Sequence, residues 1–170
     1  MIPSKIFFVG MPGSGKSTLG TKLAEILNVP FFDLDKQIEI KESRSITEIF
    51  KFSGEDYFRE IEAQILNKLI KDESQFVCST GGGTACFHDN IQTMNKNGLT
   101  IFLDVPVETL IQRVKADASQ RPLLDGENLS VLSERVNRFS EQRRNFYSQA
   151  QLIFSGSAIS AEEIKMKVFS

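Results

Sequence analysis

Gly10-Met11-Pro12-Gly13-Ser14-Gly15-Lys16-Ser17 matches the pattern G-x-x-x-x-G-K-S at every position. Few short segments limit a fold so sharply. Its glycines let backbone N–H groups turn toward a β-phosphate, and a helix opening near Lys16 adds the positive end of its dipole. Such a loop has to join a buried strand to a helix, and the flanks supply both. Ile6-Phe7-Phe8-Val9 is a continuous apolar run, suited to a strand covered on both faces of a parallel sheet. Lys16 to Leu27 places Leu19, Leu23, Ala24 and Leu27 on one helical face. Lys16 can bridge the β- and γ-phosphates of a nucleotide, and the Ser17 hydroxyl can ligate Mg²⁺. Gly13, Ser14, Gly15 and Thr18 complete the candidates for holding the nucleotide. A dinucleotide loop of the G-x-G-x-x-G type is the nearest rival, but it wants a helix contact where this chain has the lysine.

The remainder alternates in kind. Strands are predicted over Val29–Asp33, Phe76–Thr80, Thr100–Asp104 and Leu152–Phe154. Helices are predicted over Asp35–Lys41, Ser45–Phe52, Glu55–Lys71, Asp89–Lys96, from Pro106 to about Val114, Leu129–Tyr147 and Ser160–Val168. Ser45-Ile46-Thr47-Glu48 reads as a capping box and Gly54 as a break. Asp117 to Asn128 is polar, holds Pro122 and Gly126, and is predicted to be a mobile loop. Strands separated by helices imply an α/β fold with a parallel sheet covered on both faces. With 170 residues and no linker or repeat, one domain over residues 1–170 is expected.

Composition narrows the function. Lys plus Arg number 20 against 22 Asp plus Glu, so the basic surplus of a nucleic-acid binder is missing. Two cysteines, Cys78 and Cys86, are too few for a disulfide framework or a thiolate-only zinc site. No leader is read at the N-terminus, no apolar run approaches the ~20 residues of a membrane span, and a cytoplasmic chain is expected. It is short for a motor. A guanine-reading N-K-x-D and an apolar strand ending in Asp-Glu are both missing, which leaves a compact metabolite or nucleotide kinase.

Several residues offer an acceptor side. Asp33 and Asp35 follow the second strand, and residues i and i+2 of an extended segment share a face. One carboxylate can help hold Mg²⁺, and the other can accept hydrogen bonds, or a proton, from an acceptor hydroxyl. Capping the next helix is the alternative for either. Gly81-Gly82-Gly83 ends the third strand, where ligands of open parallel sheets sit; it signals close backbone approach or a sharp bend. Arg59 and Glu62 share a helical face, so the pair either steers Arg59 onto a carboxylate or forms a surface ion pair. Arg121 lies in the polar loop and Arg113 one helix earlier. Arg143 and Arg144 precede Tyr147, one facing the acceptor and the other solvent. His88, the one histidine, reads as a surface residue. Most of the 14 phenylalanines read as core, with Phe52 and Phe58 flanking the acceptor pocket.

This constellation resembles the shikimate kinase family. The phosphate loop, Asp33-Leu34-Asp35, Phe58-Arg59 with Glu62, Gly81-Gly82-Gly83, Arg121-Pro122-Leu123-Leu124, and Arg143 with Tyr147 stand in the family's order and approximate spacing. The resemblance implies transfer of the γ-phosphoryl of ATP to the 3-hydroxyl of shikimate, with ATP and Mg²⁺ required. It implies a three-layer nucleoside monophosphate kinase-like fold with five parallel strands in the order 2-3-1-4-5. An acceptor-binding region near residues 37–71 and a lid near residues 115–128 go with it. Residue by residue, it implies Lys16, Asp35 and Arg121 as catalytic, and Ser17 and Asp33 at the metal. Asp35, Arg59, Glu62, Gly81, Gly82 and Arg143 would hold shikimate. Arg113 and Arg121 would meet the nucleotide, with adenine near Arg113 and Ser155–Ala158. A monomer acting on a small molecule, without nucleic-acid or membrane partners, is implied as well. Asn145, Ala150-Gln151 and Thr84-Ala85-Cys86 depart from the family's usual residues. A kinase of another hydroxy acid, such as gluconate, and an inactive kinase-like binding protein are the alternatives.

Overall fold

The apolar run after Ser4 forms β1 (Lys5–Val9), and the phosphate loop feeds α1 (Lys16–Leu27). The computed structural model describes residues 3–119 and 129–170. Over these follow β2 (Phe31–Asp33), α2 (Leu34–Glu42), α3 (Ile46–Asp72), β3 (Phe76–Ser79) and a 3-10 turn over Thr84–Cys86. Then come α4 (Asn90–Asn97), β4 (Leu99–Asp104), α5 (Val107–Ser119), α6 (Leu129–Tyr147), β5 (Leu152–Ser155) and α7 (Ala161–Phe169). The sheet is parallel, in the expected order β2-β3-β1-β4-β5.

Central β1 shows why this order buries the chain. Ile6 and Phe8 face one layer, with Leu19 and Leu23 of α1 and Ile164 of α7. Phe7 and Val9 face the other, with Ile38 of α2, Leu66 of α3, Met94 of α4, Leu110 of α5 and Tyr147 of α6. These four β1 side chains, Ile6 to Val9, are at most 1% exposed. Burying each contributes about 1.5–3 kcal/mol over leaving it in water. A strand that must be apolar on both sides cannot alternate, and this one does not.

Two local features shape the acceptor side. Ser45 caps α3 through the expected box: its hydroxyl accepts from Glu48 N (3.2 Å), and Glu48 Oε2 accepts from Ser45 N (2.8 Å). Gly54, at φ 83° and ψ 171°, is non-helical and divides α3 into two helical pieces across a kink, the expected break. The left-handed φ is one that a residue with a Cβ adopts only under strain.

One boundary needs correction. α5 runs through Ser119, past the expected end near Val114, so the segment read as loop from Asp117 begins as helix. Lys115 to Ser119 contains neither glycine nor proline, and nothing before Pro122 opposes the helix. The rest of the expected lid, residues 120–128 with Arg121, lies outside the described residues. Among the described residues, no helix is long and apolar enough to cross a membrane.

Candidate functional site

The carboxyl ends of β1, β2 and β3 deliver the candidate residues to one rim of the sheet. At β1, Gly10, Gly13 and Gly15 all have positive φ (144°, 82° and 95°), so the loop can curl its N–H groups inward. Lys16 is buried at 8% exposure, and its ammonium donates to the carbonyls of Gly10 and Met11, both at 2.9 Å. Burial lowers its pKa to about 8, against the pull of Asp35 and Asp33. The loop thus holds a desolvated cation with a donor left for an incoming phosphate.

The two carboxylates after β2 divide their work. Asp33 is the N-cap of α2, accepting from Lys36 N at 3.3 Å, and its other oxygen accepts from Ser17 Oγ at 2.9 Å. Ser17 Oγ also lies 3.1 Å from Ser79 Oγ at the end of β3. A hydroxyl that gives its hydrogen to a carboxylate keeps its lone pairs for a cation, and these oxygens are the hard donors Mg²⁺ takes. Asp35, in the first turn of α2, is therefore not the cap. Burial, then the charges of Asp33 and Glu62, raises its pKa to about 6, with Lys16 opposing. A carboxylate poised near neutrality suits proton acceptance. Asp33, Asp35, Lys16, Ser17, Ser79 and Gly81 line one cavity of about 340 Å³.

Beyond β3 the glycine triplet makes room. A Cβ on Gly81 would stand 3.0 Å from Asp35 Oδ1 and 3.2 Å from Glu62 Oε1. On Gly82 it would meet Pro12 at 2.7 Å and Arg143 Nη1 at 2.9 Å. On Gly83 it would overlap the Arg59 guanidinium. Three consecutive positions thus clear space for Asp35, Arg143 and Arg59. The carbonyl of Gly82 is already taken by the Tyr147 hydroxyl, whose ring packs on Phe102 at 5.1 Å.

Arg59 is no surface residue: it is 7% exposed. Its guanidinium stacks over Phe87 (4.2 Å) and Phe58 (5.0 Å). Nη1 donates to Glu62 Oε2 at 3.0 Å, while Nε and Nη2 donate to Glu55 Oε1 at 3.2 and 3.1 Å. Glu62 is fully buried and is held on its other oxygen by Thr84 Oγ1 at 2.6 Å. Arg143 stacks over Phe139 at 4.7 Å. Its neighbour Arg144 makes a bidentate pair with Asp104 at the end of β4, at 2.9 and 2.8 Å. That settles which arginine turns toward the triplet.

Gly83→Ala should show what this clearance does. Its φ of −95° accepts alanine, so any effect comes from the contact with Arg59 and not from backbone strain. Displacing the guanidinium from one charged hydrogen bond predicts a rise in acceptor KM of about tenfold. The KM for the nucleotide should stay put; steady-state kinetics with each substrate varied in turn checks both.

A second cavity, about 460 Å³, opens on the other side of the loop. Gly13, Ser14, Gly15, Thr18, Arg113, Gly156 and Ile159 contribute to its wall. Arg113 ties two segments of that wall together, donating to Gly13 O at 2.9 Å and to Ser157 O at 3.0 Å.

Sequence reasoning missed some members. Ser79 lies against the Ser17 hydroxyl, Thr84 donates to Glu62, and Glu55 accepts from Arg59. Phe52 is corrected: it is 70% exposed, while Phe50 packs on Phe58 at 4.6 Å and carries the aromatic wall. Only Ser79 had a signal, a polar residue closing an apolar run at a strand's carboxyl end. His88 is exposed as expected.

Comparison with known proteins agrees with this fold. The family model for shikimate kinase matches residues 12–170. A shikimate kinase of Clostridium botulinum (strain Loch Maree) is 47% identical over 149 residues, covering 87% of this chain and 85% of the relative. The crystal structure of shikimate kinase from Bacteroides thetaiotaomicron superposes with a TM-score of 0.87 at 39% identity, covering 98% of this chain and 95% of that one. The shikimate kinase of Acinetobacter baumannii in complex with shikimate gives 0.84 at 32% identity, covering 99% and 92%.

Proposed function

The chain belongs to the shikimate kinase family, and from that premise we propose how its own residues carry the γ-phosphoryl of ATP to the 3-hydroxyl of shikimate. The activity itself, ATP-dependent phosphorylation of shikimate, follows from the family and its solved members. The alternatives, a kinase of gluconate and an inactive binding protein, give way with it.

The division of labour rests on one observation: Asp35, Arg143 and Arg59 stand against three successive glycines at the end of β3. Shikimate carries a planar carboxylate at one end of its ring and hydroxyls along the other. Guanidinium groups match a carboxylate's two oxygens, so Arg59 and Arg143 take that end. Glu62, pinned by Thr84, orients Arg59. Asp35 then faces the hydroxyl edge and receives the proton of the attacking oxygen. ATP lies across the loop, its base in the cavity walled by Arg113 and its phosphates at Lys16. Lys16 gains a phosphate partner and offsets the charge that spreads over the moving group. Ser17 and Asp33, joined through their oxygens, would hold Mg²⁺, which takes such hard oxygen donors. When bound, that ion neutralises charge on the β- and γ-phosphates.

Arg59→Ala and Arg143→Ala test the acceptor assignment. Each should leave a carboxylate partly unpaired in a desolvated site, lowering kcat/KM for shikimate about 30- to 1000-fold. The uncharged methyl ester should lose far less. Equal losses with acid and ester would remove both arginines from carboxylate recognition.

A further inference from the structure

Arg59 faces two carboxylates, and they differ in every respect that matters for exchange. Glu62 is 0% exposed and held on both oxygens, by Arg59 and by Thr84. Glu55 has a side chain 54% exposed. Its Oε1 receives both Nε and Nη2, the paired donors along one edge of the guanidinium. A carboxylate ligand seeks such an edge. Arg59 is thus already paired with two carboxylates. A third reaches its Nε–Nη2 edge only if Glu55 withdraws from it. Glu62 is anchored inside the protein; Glu55 follows Gly54, the left-handed kink of α3. A Cβ on Gly54 would meet nothing within 4 Å. Its φ of 83° is therefore the one property in these contacts that calls for glycine there, and it sets where Glu55 leaves the helix axis.

We propose that Glu55 is a specificity-determining placeholder: its carboxylate occupies the seat on Arg59 that the acceptor's carboxylate takes, and it must leave before the acceptor binds. The proposal rests on Arg59 reading that carboxylate. The exchange keeps the guanidinium ordered and paired between turnovers. It also sets a threshold, because only a ligand with an anionic end competes for the seat. A neutral polyol lacks the group that displaces Glu55 and so meets an occupied site.

Calorimetric titration of shikimate and of methyl shikimate into the nucleotide-free enzyme tests this. The proteins are the wild type, Glu55→Gln, Arg59→Ala and the double variant. Glutamine keeps the size of the side chain and removes the competing charge from a largely exposed position. Glu55→Gln should bind shikimate about two- to fivefold more tightly, the scale of an exposed ion pair. Methyl shikimate should gain less, and the gain should vanish when Arg59 is alanine. A residue that merely braced Arg59 would give the opposite sign. Unchanged or weakened shikimate binding by Glu55→Gln therefore overturns the placeholder. Failure of the underlying reading looks different: Arg59→Ala would then lose no more affinity for the acid than for the ester.

Discussion

Lys16→Ala is expected to slow phosphoryl transfer by about 10³-fold, the range seen when a preorganised cation or donor is removed from a transition state. The side chain is buried, and two of its donors are spent on the loop's own carbonyls, Gly10 O and Met11 O. Its ammonium is therefore fixed before any nucleotide arrives, and no reorganisation is needed as charge develops on the γ-phosphoryl. Burial holds its pKa near 8, so the charged form still prevails at neutral pH, and an anionic phosphate beside it stabilises that form further. Measured turnover at saturating substrates, with folding checked by circular dichroism, decides the matter. A folded variant turning over within tenfold of wild type would remove Lys16 from the chemistry. Lys16→Met, which keeps the volume, guards against an effect of the cavity left by alanine.

Asp35→Asn should be nearly as damaging to activity and should help the fold. Losing a positioned proton acceptor lowers kcat by about 10²- to 10⁴-fold. The wild-type pH profile should carry the signature. With Asp35 titrating near 6, the carboxylate is the working form, so kcat/KM for shikimate falls as pH drops through 6. That limb should vanish in the asparagine variant. For stability the sign is opposite. The folded-state pKa stands above the unfolded value, so the carboxyl's proton is held more tightly in the folded chain. Stability is present in full below the unfolded value near 4 and is lost as pH rises through about 6. Above that, the buried charge costs about 1–3 kcal/mol, which asparagine relieves. Thermal melts at pH 7.5 should show Asp35→Asn melting a few degrees higher than wild type. Equal melting temperatures at pH 7.5 would mean that Asp35 pays no such penalty.

Both residues were legible in the sequence because their setting is local. The phosphate loop prescribes its own strand and helix, and β1 shows its burial as an unbroken apolar run. The order of strands followed from the family resemblance, not from the pattern. The division between Asp33 and Asp35 came from the resemblance as well and was not legible in the pattern. Both stand at the start of one helix, and only the folded chain shows that Asp33 takes Lys36 N. Arg59 and Glu62 look the same on a wet helix as on a buried one; what separates the cases comes from elsewhere in the chain, Thr84 and Phe87 among others. Phe50 and Phe52 were confused for a related reason. Residues two apart in a helix point to different sides, and composition does not say which side meets the pocket. The end of α5 was misplaced because polarity was read as loop where no breaking residue stands.

The glycine triplet also bears on how an enzyme like this can change its acceptor. Pockets are commonly re-tuned by enlarging or shrinking a lining side chain. Along this face the mould consists of side chains that are missing. Any first step away from glycine presses on a different charged side chain: Asp35 from position 81, Arg143, beside Pro12, from 82, and Arg59 from 83. Single substitutions there lead downhill in activity before any new acceptor can be favoured. The aromatic wall of Phe50, Phe58 and Phe87 meets Arg59 through ring faces, where one aromatic ring can stand in for another without such a clash. Drift in acceptor preference is thereby channelled to one side of the pocket, while the glycine side stays frozen.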